Sequence, residues 1–287
     1  MQWGVLDALV SRDLHLVLTR LPDNDLSDPD RLPRILREQC VDGLLINYTH
    51  DIPPRMGQII AQHRIPAVWL NVKREHDAIY HDDVEAGRLA AARLLSQGYR
   101  RIAYADFSHG QATIDAAHYS TRDREAGYAA AMLDAGLTPR VIRHARRVDA
   151  VERLAAAAAA LRREDRPDAV VAYASSTAAP FILAAMQQAR PGERPLGVVT
   201  VDNAPVDFAG QPVEAVYLHQ WGLGRAAVDM LADKIDASDP AAPLPSRIVG
   251  CEADFPWKPT TQAVRVHDVT GSPVHPTSVA ASRGDAS

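Results

Sequence analysis

Two cysteines in 287 residues, Cys40 and Cys251, are too few and too far apart for a disulfide framework or a thiolate metal site. They read as buried or free thiols of a reducing compartment. Positive charge is not in excess either. The 31 Lys and Arg against 36 Asp and Glu leave a net charge of −5, which excludes a broad basic surface for nucleic acid. No run approaches the ~20 apolar residues of a bilayer span. The opening MQWGVLDALVSR lacks a basic start followed by a long apolar stretch, so it is no signal peptide and the expected location is the cytoplasm.

Catalytic and cofactor motifs are also missing. There is no G-x-S-x-G elbow, P-loop, H-E-x-x-H or G-x-G-x-x-G after a first strand. Gly222 and Gly224 open a helix, but so short a glycine pair is a poor dinucleotide signal. The 11 histidines are scattered. His76 and His81 with Asp77, Asp82 and Asp83 imitate a metal cluster, although a solvated loop is the simpler account. The expectation is a protein with no catalytic residues, no metal and no cofactor.

What is there begins with composition: 47% hydrophobic and 23% charged residues suit one or two domains with sizeable cores. Residues 167–203 then carry the clearest local pattern, an apolar run, a small-residue helix with Pro180 in its first turns, and a second apolar run ending at Asp202 and Asn203. That is the pattern of a βαβ unit, in which polar groups facing a ligand sit just past the carboxyl ends of buried strands. Ser175 and Asp202 are placed that way. Segments 15–21, 41–47, 65–71, 100–107 and 213–218 read as further strands. Between and after them, 28–39, 53–63, 84–97, 122–136, 151–163 and 221–235 read as helices, the last but one containing the helix-favouring Ala155–Ala160 run. The alternation predicts parallel α/β architecture, and so many strands favour two sheets over one.

At this point the order of fragments becomes specific. VDGLLI at 41–46, IPAVWLN at 65–71, DDVEAGRLAAARLLSQGYRRIAY at 82–104, REAGYAAAMLDAGL at 124–137, PDAVVAY at 167–173, GVVTVD at 197–202 and GLGRAAVDMLADKI at 222–235 follow one another. Over residues 1–255 the chain resembles the effector-binding region of the lactose-repressor (LacI/GalR) family of bacterial transcription regulators, a sensor built like a periplasmic sugar-binding protein. The resemblance implies a two-lobe α/β fold, each lobe a parallel sheet flanked by helices, with a small polar effector, most plausibly a sugar, in the cleft. It places lobe one at 1–106 plus 219–236 and lobe two at 107–218 plus 240–261, leaving 262–287 as a Ser-, Pro- and Ala-rich disordered tail. It further implies a homodimer, DNA as a partner through a head domain outside this chain, and no membrane partner.

Site residues carry over one at a time. Arg124, in R-x-x-G-Y, matches the family's ligand-contacting arginine, whose fixed donors suit hydroxyls or a carboxylate; a surface arginine at a helix start is the plain alternative. Asp202 matches the acidic sugar contact, or else caps the following turn. At Asp82 and Asp83 relatives often carry Asp-Asn, so Asp83 is expected to cap the helix and Asp82 to reach the ligand. Relatives often carry Asn-Asp where this chain has Ala174, Ser175 and Ser176, which puts the usual contacts there in doubt. The relatives' Gln before the last lobe-one helix falls at Leu218 by spacing, with Gln220 two residues later and Trp221 able to stack on a sugar or simply to pack. Asn47, Tyr48 and Asn71 end predicted strands of lobe one, and His50 follows the same strand end, more simply as a surface residue.

Family members begin with a helix-turn-helix and a first buried strand, whereas Met1 here falls at the helix after that strand, so the first strand of lobe one is expected to be missing. The reading is a non-catalytic sensor of a LacI-type regulator. Its rivals are a solute-binding receptor of a sugar transport system, which predicts a signal peptide, and an enzyme on a flavodoxin-like scaffold, which predicts a convergent acid-base set.

Overall fold

A computed structural model describes residues 1–20, 41–47, 54–108, 117–144, 146–204, 206–208, 210–253 and 264–274. Their elements are, in chain order, α1 (Gln2–Val10), β1 (Leu44–Ile46), α2 (Pro54–Gln62), β2 (Ala67–Leu70), β3 (Ala78–His81), α3 (Asp83–Ser96), β4 (Ile102–Asp106), α4 (Ser120–Asp134), β5 (Val141–Arg143) and α5 (Ala150–Arg162). They continue with β6 (Ala169–Ala172), α6 (Ser175–Gln188), β7 (Gly197–Asp202), β8 (Val206–Phe208), β9 (Gln211–Leu218), α7 (Gln220–Ile235), β10 (Arg247–Val249), β11 (Cys251–Glu252) and β12 (Val266–Asp268). The chain divides into two compact units, residues 1–80 with 220–249 and 264–287, and residues 81–219 with 250–263.

The first unit holds a sheet of order β1-β2-β3-β10-β12, parallel through β1, β2 and β3 and antiparallel between β10 and β12. Val68, Leu70, Ile79 and Val249 from the sheet pack against Leu223, Ala227 and Met230 of α7. Helices α1 and α7 meet at glycines: a Cβ on Gly4 would lie 1.9 Å from the Trp221 carbonyl oxygen, and one on Gly224 2.3 Å from that of Met1. The glycine pair at 222–224 therefore serves helix packing. Lys234, 3% exposed, donates Nζ to Asp77 Oδ1 and to the Ala242 carbonyl, both at 2.7 Å, so its buried charge is paired.

In the second unit the sheet runs β11-β9-β7-β6-β4-β5, with β8 antiparallel to the start of β9. β4, β5, β6, β7 and β9 are parallel. Successive residues alternate between two cores: Ala169 and Val171 face a cluster with Ala90, Leu94, Tyr128 and Met132 of α3 and α4, while Val170 and Ala172 face Ala157, Leu161, Phe181 and Ala184 of α5 and α6. Burial on both faces is why the strand sequences read as unbroken apolar runs. Helix α5 starts at a capping box, Asp149 Oδ1 accepting the Glu152 N–H at 2.9 Å and Glu152 Oε2 the Asp149 N–H at 3.0 Å.

Several expected boundaries move. The 81–106 segment, assigned to lobe one, belongs to the second unit, because β4 pairs with β5 and β6 at the sheet's interior. Within the expected lobe-two segment 240–261, β10 lies in the first sheet and only β11 joins the second. Residues 15–20 of the expected strand 15–21 form no strand, and Val17 and Leu18 are largely exposed. Part of the expected disordered tail is ordered: β12 pairs residue for residue with β10, satisfying that strand's backbone. Residues 262, 263 and 275–287 of the tail, the helix expected at 28–39 and the position of Cys40 lie outside the described residues. No helix among the described residues is long and apolar enough to cross a membrane.

Candidate functional site

The second unit's sheet reverses its winding between β4 and β6: β5 was added on one side, β6, β7 and β9 on the other. In an open α/β sheet the crevice for a ligand lies outside the carboxyl ends of the strands at such a switch point. Here those ends carry Asp106 on β4, Tyr173 and Ser175 after β6, and Asp202 on β7, with the amino ends of α3 and α4 beside them.

Arg124 is brought there by two glycines. A Cβ on Gly127 would lie 1.8 Å from the Val84 carbonyl oxygen, and one on Gly87 2.0 Å from that of Arg124, so α3 and α4 cross with backbones in contact. At that distance Arg124 Nε donates to Asp83 Oδ1 at 2.6 Å, with Asp83 1% and Arg124 8% exposed. Arg124 Nη1 also donates to the Tyr173 carbonyl at 2.6 Å, and its guanidinium stands 4.6 Å over the Tyr173 ring. Burial works against the Arg124 charge, and the Asp83 carboxylate more than offsets it, so the guanidinium holds its proton above the ordinary arginine range. Two of the five guanidinium N–H groups are used in these bonds, leaving three to donate.

The aspartate roles are the reverse of the expectation. Asp82, expected to reach the ligand, is the N-cap of α3 and accepts the Glu85 N–H at 3.0 Å; Asp83, expected to cap, is the buried partner of Arg124. Asp202 and Ser175 do come together. Asp202 Oδ2 accepts the Ser175 N–H at 3.2 Å, satisfying an orphan donor at the start of α6, and Oδ1 accepts the Asn203 N–H at 2.7 Å. Asp202 thus acts as a cap, and these two bonds leave lone pairs on its carboxylate.

Sequence reasoning missed the rest of this cluster. His118 Nδ1 lies 2.8 Å from Ser120 Oγ, which lies 2.9 Å from the Tyr173 hydroxyl, and the Tyr119 hydroxyl accepts the His81 N–H at 3.1 Å. The hydroxyls of Tyr104 and Thr121, both fully buried, have no hydrogen-bond partner among the described residues. Burial pushes the Tyr104 hydroxyl well up, with the Asp106 carboxylate adding to it. Asp106, fully buried, stands 3.7 Å from Arg143 Nη2, which meets Glu125 at 2.6 Å. Only the second Asp of the pair at 82–83 and the position of Tyr173 just past a strand signalled any of this; His118 and Ser120 sit in no pattern.

The remaining candidates lie in the first unit. Asn47 is exposed just past β1, and Asn71, just past β2, adopts φ +57°, which asparagine tolerates, while its N–H donates to the Ile79 carbonyl at 2.7 Å. Gln220 is the first residue of α7. Trp221 is 43% exposed, and its indole donates to Asp7 Oδ2 at 2.6 Å. Tyr48 and His50 lie outside the described residues. The residues suspected of imitating a metal site go separate ways: Asp77 to Lys234, Asp82 to its helix, Asp83 to Arg124.

Solved structures share this fold, LacI-family regulators among them. They include a regulatory protein of the LacI family from Chloroflexus aggregans (19% identity, 88% of each chain, TM-score 0.69). Another is a LacI family transcriptional regulator from Enterococcus faecium with bound ribose (16% identity, 88% of this chain and 90% of that one, TM-score 0.66). A third is a complex of the transcriptional regulator CelR with cellobiose (22% identity, 88% of this chain and 75% of that one, TM-score 0.63). No curated protein matches the chain in sequence. A sequence profile of the periplasmic binding protein-like domain covers residues 91–253, more than half of the chain, and on that match, with strands, helices and switch point as described, the chain belongs to the periplasmic binding protein-like domain family.

Proposed function

We propose that this chain is the ligand-sensing part of a LacI-type transcriptional regulator of the cytoplasm, that it is not an enzyme, and that its effector is a small polar molecule, a sugar. The observation that carries this is the polar cluster at the switch point of the second unit: the buried Arg124 with three N–H donors and the half-buried Asp202 carboxylate with lone pairs beyond their bonds to the described residues, and the buried Tyr104 hydroxyl, unpartnered among those residues. Donors and acceptors held by buried partners suit a neutral polyol, which offers both. The ribose and cellobiose bound by proteins of the same fold agree with that chemistry. Ser175, whose N–H meets Asp202, is proposed as a further contact in the same cluster.

Calorimetric titration with ribose, cellobiose and a panel of other mono- and disaccharides tests the reading. One sugar saturates the wild type, and Asp202→Asn weakens it about ten- to hundredfold, the ~1.5–3 kcal/mol of a charge-assisted hydrogen bond. No saturable binding across the panel, or equal affinity in Asp202→Asn, overturns it. A homodimer, and DNA as a partner through a head domain and not through these residues, belong to the same proposal. The dimer is supported by Trp3, Leu6 and Val10, spaced along one stripe of α1 and 75%, 40% and 82% exposed.

A further inference from the structure

At the opposite, amino edge of the second unit's sheet lies a cavity of about 420 Å³, within the range of small-molecule sites. Its floor is apolar, with Leu161 of α5, Ile182 and Ala185 of α6, Leu196 just before β7 and Val198 within it. Its rim carries four arginines, Arg101, Arg166, Arg190 and Arg194, against two acids, Asp168 and Glu193, an excess of positive charge in a chain of net charge −5. Both acids are engaged. Asp168 Oδ1 accepts the Arg101 N–H at 2.9 Å, and Glu193 is ion-paired with Arg166. Arg194 lies 3.7 Å over the Tyr99 ring and donates to the Gln97 carbonyl. The guanidiniums of Arg101 and Arg190 have no partner among the described residues.

Helix ends account for part of this charge. Arg166 and Arg190 follow the carboxyl ends of α5 and α6, where a cation offsets the helix dipole. Arg101 stands immediately before β4, and together with Arg190 it lines the same apolar hollow. A guanidinium pair over an apolar floor matches a ligand with a hydrophobic body and a carboxylate or phosphate head. We propose that this cavity is a second ligand site, separate from the Arg124 and Asp202 cluster, for a small amphipathic organic anion.

Calorimetry with 1-naphthyl phosphate and 1-naphthoate tests this, with 1-naphthol and inorganic phosphate as the body alone and the head alone. The expected result is one site per chain for at least one of the two anions, at least tenfold tighter than either control, the better of the two identifying the head group. The double variant Arg101→Gln with Arg190→Gln, both exposed and so harmless to folding, weakens that anion at least tenfold. Ala185→Trp, checked by circular dichroism for an intact fold, abolishes it. Asp202→Asn leaves it unchanged, so this proposal and the sugar reading stand or fall separately. Failure of both anions to saturate, equal binding of 1-naphthol, or unaltered affinity in the double arginine variant overturns it.

Discussion

Asp83 and Arg124 form a charge pair that the fold cannot leave half made. Removing one partner of a buried pair strands the other, at a cost of about 3–5 kcal/mol, far more than for an exposed pair. Asp83→Ala is therefore expected to lower stability by that amount in urea unfolding. The exposed pair of Arg64 and Asp239, broken by Asp239→Ala, should change it by less than about 1 kcal/mol. His81, 2% exposed, provides a pH signature. Burial, with Arg124 and His219 adding positive charge and Asp83 opposing them, lowers its pKa from 6.5 to about 4. Below pH ~6.5 the unfolded chain takes up a proton that the folded chain refuses until about pH 4. Stability then falls with pH across that window, by on the order of 3 kcal/mol in all, and is unaffected by this group above it. Urea midpoints at pH 7 and pH 4.5 read the loss, and His81→Gln should show a visibly smaller one.

At the scale of elements, close helix crossing is what places the site. Gly87 and Gly127 face backbone carbonyls, which have no flexible end to give way. Gly127→Ala is expected to push α3 and α4 apart, costing about 1–3 kcal/mol by overpacking, less any gain in helix propensity. It should also weaken ligand binding, because Asp83 and Arg124 sit at this crossing. Gly57, on α2, has nothing within 4 Å of an added Cβ, so Gly57→Ala should be neutral or stabilising when thermal melts of both glycine variants are compared with the wild type. The R-x-x-G-Y pattern at 124–128 has a physical content at this level: one helical turn separates the charge from the glycine that lets its partner approach.

For the whole molecule, the apolar stripe of α1 bears on assembly. Trp3 and Val10 expose most of their surface on a helix whose other side, through Val5 and Ala8, is buried with Val228 of α7. An isologous contact of this stripe with a second copy removes it from water. Sedimentation of Trp3→Glu with Leu6→Glu should then show a monomer where the wild type is a dimer, with an unchanged circular dichroism spectrum. A wild type that sediments as a monomer at micromolar concentration removes the stripe from consideration.

Much of the fold was legible in the sequence because it is local. Unbroken, short, β-branched apolar runs such as AVVA at 169–172 read as strands covered on both faces, and their alternation with helices implies parallel sheets. The strand ends at Tyr173, Ser175 and Asp202 follow from the same pattern, since residues past a buried run must leave the core. Short strands that stand in no clear apolar run, such as β3, β10, β11 and β12, carry too little pattern to be read, and which sheet each joins depends on partners far along the chain. The roles of Asp82 and Asp83 likewise turned on tertiary structure. Either carboxylate can cap a helix, and only the glycine crossing of α3 and α4 fixed which of them met the arginine. Sequence determined the elements through local burial and propensity; only the tertiary structure decided the pairings between side chains, because those energies depend on distances that no spacing along the chain contains.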